Sequence, residues 1–221
     1  MTNVCLTYQT KRRNACWLLI GLLAGCAPST TAPPAGAPTA EAAAPPIGAS
    51  WKIRTTNELN NSSQDITLTA VAVTYNGKPA YGVSNGTVVR VFTLDTFNQM
   101  ATLREGKEEE VMSPDSGGSS WPFWLGKTWT ATSSYSDVVR GRTFNGVKYN
   151  YTISSFENVT VPAGTFQAYR IDYSPSIPGG SFGSRWYAPS TKTTVRSTNE
   201  RGAGHYLGAG KTLTELLTVP K

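Results

Sequence analysis

From about residue 50 onward, apolar and polar residues alternate in short runs. Trp51-Lys52-Ile53-Arg54 alternates as a half-buried strand does, and residues 65–75 repeat the pattern with Ile66, Leu68, Ala70 and Ala72 on one face. Asn76-Gly77 follows at once. Both residues tolerate positive φ, so the pair predicts a tight hairpin. Asn85-Gly86 predicts a second, between Tyr81-Gly82-Val83 and residues 88–92. Further strands are expected at 128–135, 148–156, 166–173, 185–188, 193–197 and 212–219. Residues 95–104 and 213–219 carry short stretches of helical spacing, and Glu108-Glu109-Glu110 reads as a solvated loop or edge. Many short strands separated by turn residues predict a mainly β domain. The expected form is a single curved antiparallel sheet or half-barrel, with few or no helices. There is no repeat of fixed period, which argues against a solenoid or propeller.

The segment Val161-Pro162-Ala163-Gly164-Thr165-Phe166 is the best-defined turn. Proline presets φ for a first turn position, and Gly164 can take a left-handed conformation after it. A three-residue hairpin loop is expected there, with Pro162 and Gly164 as its structural residues. Both faces of the strand that follows carry apolar bulk, so the hairpin should be central.

The pattern before residue 50 is different. Lys11, Arg12 and Arg13 precede a short apolar run that ends in Leu23-Ala24-Gly25-Cys26. Basic residues, an apolar segment and small residues before a cut site make an export signal. The run is about half the roughly 20 residues that a spanning helix needs. Ending on cysteine, the signal resembles a lipobox, which implies cleavage before Cys26 and acylation of its thiol. Residues 1–25 are therefore read as a lipoprotein signal peptide and Cys26 as the lipid attachment site. Residues 26–49 are rich in Pro, Ala and Thr and nearly free of charge and large side chains. Such a tract buries too little apolar surface to offset its ordering entropy and is expected to be a disordered tether. Residues 50–221 form one domain.

Charge and cysteine usage narrow the chemistry. The formal net charge is +6, but the signal holds three of the basic residues and no acidic one. The remainder is spread thinly, without the dense basic stripe of a nucleic-acid footprint. The three cysteines are Cys5, Cys16 and Cys26, so the domain after the tether contains no thiol for a disulfide, a thiolate metal site or a nucleophile. The glycine-rich segment 202–212 ends in Gly210-Lys211-Thr212, but His205 stands where a P-loop needs its first glycine. It reads as a loop between the last two strands, and no nucleotide is expected. His205 is the only histidine, and nothing near it resembles a nucleophile elbow. No metal site, cofactor or catalytic residue is expected.

The aromatic residues are the more informative constellation. Trp121, Phe123, Trp124 and Trp129 fall within nine positions, and Trp186-Tyr187 follows later. Tryptophan buries large area and prefers a site with one polar edge. These residues either fill the core of a curved sheet or wall an apolar groove. Trp121, Trp124, Trp129, Trp186 and Tyr187 are the candidate ligand-facing aromatics.

Three separated pieces carry a resemblance: Trp121-Pro122-Phe123 with Leu125-Gly126-Lys127-Thr128-Trp129, then Val161 to Phe166 with Ala168 and Ile171, then Trp186-Tyr187-Ala188-Pro189 with Val195-Arg196. In that order they resemble an uncharacterised family of bacterial envelope lipoproteins, a TapB-like domain of unknown function. The likeness covers about residues 120–220. It implies a curved antiparallel sheet, loosely like the half-barrel of lipoprotein carriers, with no assigned catalytic residue. Ser190-Thr191-Lys192 stands where the family pattern has a glycine-containing turn. The expectation from all of this is a cell-envelope protein held to a membrane by Cys26. In an envelope with two membranes, Ala27 after the cysteine resembles the outer-membrane sorting pattern, facing either the periplasm or the cell surface. The expected role is a non-enzymatic binding module for an apolar or amphiphilic ligand. The alternatives are an assembly accessory that binds another envelope protein, for instance through a sheet edge, and an uncharacterised hydrolase.

Overall fold

Twelve β-strands and no helix make up the described residues, 32–176 and 179–221, of a computed structural model. The strands are β1 (Ser50–Asn57), β2 (Ser62–Tyr75), β3 (Lys78–Ser84), β4 (Val88–Phe92), β5 (Gln99–Arg104) and β6 (Lys107–Ser113), then β7 (Thr128–Asp137), β8 (Arg142–Val161), β9 (Gly164–Pro175), β10 (Phe182–Ala188), β11 (Thr193–Arg201) and β12 (Gly210–Thr218). Each pairs antiparallel with its sequence neighbour, and β12 pairs with β1 through partners such as Arg54 and Glu215. The sheet is therefore a closed up-and-down barrel, one step beyond the half-barrel expected. Closure leaves no unpaired edge. The lipobox and Cys26 lie outside the described residues.

Local turn chemistry explains much of the order. Asn76 and Gly77 both have positive φ, 50° and 73°, the two-residue turn that matches strand twist. At the next hairpin the Asn85 side chain accepts from the Thr87 and Val88 backbone amides, and Gly86 has a φ of 95°. The β8–β9 hairpin forms where predicted, but Val161 pairs with Gly164, so its loop is Pro162-Ala163 alone. Gly164, at a φ of 131°, opens β9 and does not cap a three-residue loop.

The short stretches of helical spacing form no helix, since 99–104 are β5 and 213–218 belong to β12, in line with the expected near-absence of helices. Glu108-Glu109-Glu110, expected as a solvated loop or edge, instead lies within β6. A bulge between Thr102 and Leu103 separates the three acids. Glu108 accepts from the Tyr75 hydroxyl and Glu109 pairs with Arg104, whereas Glu110 points inward, to Thr102 and Tyr135.

In an up-and-down barrel the turns alternate between the two ends. The turns after β1, β3, β5, β7, β9 and β11 share one end. The other receives the chain entering β1, the connections after β2, β4, β6, β8 and β10, and the chain leaving β12. This second end is plugged. The β6–β7 segment, residues 114–127, folds inward and places Phe123 (1% exposed) against Tyr169 and Tyr187. Asn98 and Ser119 hold it by reciprocal bonds, and buried Lys127 donates to the Pro122 carbonyl at 2.9 Å. Burial lowers the Lys127 ammonium below its usual pKa.

The segment expected to be a free tether is in part fastened to this end. Ala40 and Phe123 exchange backbone bonds of 3.0 and 2.8 Å. Tyr187 and Tyr81 donate their hydroxyls to the carbonyls of Ala43 and Pro45, at 3.1 and 3.0 Å. Gly48 then donates to the Ala70 carbonyl and Ala70 to that of Ala49. Residues 40–49 thus cross the plugged end as a strap, and the tether reading holds no further than residue 39.

The core follows from the strand alternation. One cluster gathers Trp51, Ala70, Tyr81, Val159, Val161, Ala168, Val195 and Leu216, from β1–β3, β8, β9, β11 and β12. A second joins Ala40 and Phe123 to Tyr151, Ile153, Tyr169, Ile171 and Tyr187. The outer face is mixed: Arg54 pairs with Asp65 at 2.7 Å and Arg196 lies near Glu215 at 3.9 Å, whereas Val73, Ala80, Val89, Val91 and Ala101 of β2–β5, on the face opposite Ala70 and Tyr81, pack as a third apolar cluster. No helix among the described residues is long and apolar enough to cross a membrane.

Candidate functional site

The open end leads into a cavity of about 760 Å³. Its walls come from the inward rows of β6, β7, β8, β9 and β11. Alternation places Val147, Tyr149 and Tyr151 of β8 on the same side as Tyr173 of β9, and the bulge in the β7–β8 pairing brings Phe144, opposite Tyr135, to that side as well. Tyr151, 8% exposed, forms the floor, where Trp129 stacks on it at 4.9 Å from the plug side. Burial pushes the Tyr151 phenol up to about 12, so it stays neutral at physiological pH.

The rim is polar. The glycine-rich stretch after β11 is a loop, as expected, and sets His205 and Tyr206 at the mouth. Tyr206 docks it by donating to Asp137 at 3.1 Å, while the neighbouring Tyr135 donates to Glu110 at 2.9 Å. Burial, with Tyr206 and Glu110 behind it, raises the Tyr135 pKa far above the phenol range. Glu110 also accepts from Thr102 at 2.8 Å, so both its oxygens are engaged. Arg142 and Arg201 complete the charged lining.

Below the floor Arg185 donates to the carbonyl of Gly118 and to Ser119, tying β10 to the plug, and burial lowers its pKa. His205 takes a bond on Nδ1 from the Leu207 amide at 3.1 Å, and its Nε2 lies 3.4 Å from the Ser181 hydroxyl. Nδ1 therefore bears no hydrogen, and the neutral ring offers Ser181 a donor rather than a base. Burial, and after it the charge of Arg201, hold the imidazole below its usual range. Among the described residues no three His, Cys, Asp or Glu side chains gather as metal ligands.

None of the aromatics singled out in the sequence lines this cavity. Trp121 stacks on Phe123 at 3.8 Å and donates to the Thr96 carbonyl. Trp124 is 2% exposed, under the Lys127 ammonium at 4.3 Å. Trp129 donates to Gly117, and Tyr187 to the strap. Trp186 lies on the outside between Arg170 and Arg196, 5.3 and 5.5 Å from its ring, with its indole nitrogen on Glu157. The polar edges of Trp121, Trp129, Trp186 and Tyr187 are satisfied within the chain and Trp124 is buried, so these residues build the plug and the outer wall. The cavity belongs to tyrosines that the sequence reading placed only on strands. Their i, i+2 spacing at 149 and 151 was the available signal, but which face becomes the lumen is decided by closure.

These features define the class: a closed up-and-down β-barrel, plugged at one end, with an aromatic cavity open at the other. Solved structures similar to it include the hypothetical lipoprotein YmcC of Escherichia coli, 13% identical over 78% of this chain and 85% of that one, with a TM-score of 0.46. A lipoprotein of Parabacteroides distasonis is 13% identical over 82% and 99%, with a TM-score of 0.40. An exported protein with a YmcC-like fold from Bacteroides fragilis is 15% identical over 82% and 100%, with a TM-score of 0.43. No family model and no curated protein matches the chain.

Proposed function

We propose that the protein is a non-enzymatic binding module of the cell envelope, lipid-anchored through Cys26, which holds one amphiphilic molecule in the barrel. The observation that carries this reading is the cavity itself. Its volume falls within the roughly 300–1,000 Å³ of small-molecule sites, and its apolar walls with a few polar rim groups are their usual chemistry. The lipobox-like pattern at residues 23–26 supports the anchor. An accessory role through strand addition is not favoured, because the barrel leaves no sheet edge to extend.

Native mass spectrometry of the chain from Ala27 onward, followed by solvent extraction, tests the reading. A reproducible bound amphiphile of stoichiometry one is expected. A clean apo mass that also fails to shift when single-chain amphiphiles are added would overturn it. The anchor has its own readout, since Cys26→Ala should abolish incorporation of a fatty-acid analogue.

A further inference from the structure

We infer that the cavity selects an anionic amphiphile, a single-chain lipid with a carboxylate or phosphate head, and that Arg201 receives the head group. The inference rests on the binding reading above and names its ligand class.

Two arginines line the cavity, Arg142 and Arg201. Neither is in an ion pair or a side-chain hydrogen bond among the described residues, although a guanidinium carries five donors. The Arg201 Nε is cut off from solvent and has no acceptor. The Nε of Arg185 and Arg196 is left the same way, so what sets Arg201 apart is its place in the cavity wall with no partner for its terminal nitrogens. The chain does not supply one. Glu110 is the carboxylate of the lining, and Tyr135 and Thr102 already occupy its two oxygens. Residues 1–31, 177 and 178, outside the described set, contain no Asp or Glu.

The Arg201 side chain is also held in place. Arg201 pairs with Gly210 across β11 and β12. A Cβ on Gly210 would fall 2.7 Å from Arg201 Nε and 2.9 Å from Cζ, closer than real contacts allow. The guanidinium therefore lies flat over a bare α-carbon, the kind of preorganisation that spares ordering cost on binding. Position completes the case. Arg201 ends β11 at the mouth, whereas Tyr151 forms the floor. A head group on the arginine sends its chain down between Phe144, Tyr149 and Tyr173.

The test is calorimetric titration of the chain from Ala27 onward, which contains the whole described fold. The probes share a twelve-carbon chain and are used below their micelle concentrations: dodecanoate, dodecyl phosphate, dodecyltrimethylammonium and dodecyl maltoside. Both anions should bind about tenfold or more tighter than the cation, and Arg201→Gln should remove that preference, bringing anions and cation to about equal affinity. Gly210→Ala, which displaces the guanidinium, should act in the same direction. A phosphate preferred over the carboxylate points to a phospholipid-like source, and the reverse to a free fatty acid. Equal affinity for anion and cation overturns the inference and leaves the binding reading intact. Failure of all four probes strikes the binding reading itself. Should both variants fail to fold, the head-group comparison on the unsubstituted chain still decides.

Discussion

His205 shows how one side chain at the mouth couples the fold to pH. Burial and Arg201 lower its pKa, so the unfolded chain takes up a proton at higher pH than the folded one. Stability therefore falls as pH drops below the ordinary imidazole range. Aspartates held low by partners, such as Asp65 beside Arg54, begin to lose their contribution only below about pH 4. Between pH 7 and pH 5, His205→Asn should flatten the decline in melting temperature, and an identical decline in both proteins would refute the assignment. Gly164 makes a second test. Its φ of 131° is open to glycine and strained for other residues, while the nearest atom to an added Cβ is a Phe166 ring carbon at 3.7 Å. Gly164→Val thus meets backbone strain rather than a clash and should cost about 1–3 kcal/mol in urea unfolding.

At the level of elements, the strap is the piece whose energetics can be isolated. Removing residues 27–49 deprives the Tyr81 and Tyr187 hydroxyls of their carbonyl acceptors. Water replaces each carbonyl once the strap is gone, so each lost bond costs about 0.5–1.5 kcal/mol and a chain starting at Ser50 should be less stable by roughly 1–3 kcal/mol. In a Tyr81→Phe, Tyr187→Phe background the same truncation should cost much less. Composition could not reveal this strap. Its Ala and Pro residues bury little, and it is held through carbonyl oxygens that every residue possesses. Strands bounded by Asn76-Gly77 and Asn85-Gly86 were legible because turn chemistry is local. Strand β6 was not, because a bulge sorts three consecutive acids between inside and outside, and the partners that do so, Tyr75, Arg104 and Tyr135, are remote or on another strand. The aromatic run at 121–129 was visible, but its destination was not. A loop folded into a lumen and a wall facing a ligand have the same sequence signature.

For the whole molecule, the pairing of β12 with β1 decides most of what the sequence left open. It joins residues more than 150 positions apart, such as Thr55 and Thr214, and no local pattern records it. Once made, it turns a sheet face into a lumen and the inward tyrosines into a site. It also removes the edge through which another protein could have been recruited. The strap, finally, has a mechanical meaning. A chain held at its N-terminal side transmits any pull first to the Ala40–Phe123 bridge and the two phenol contacts, well before β1 is loaded between β2 and β12. Those few bonds should yield at low force and release the ten residues of the strap, about 35 Å of contour, while the barrel stays shut. Pulling from residue 32 in an optical trap should show that short step ahead of the main rupture. The protein would then carry its own shock absorber, and its ligand would ride out a tug that had already undone the strap.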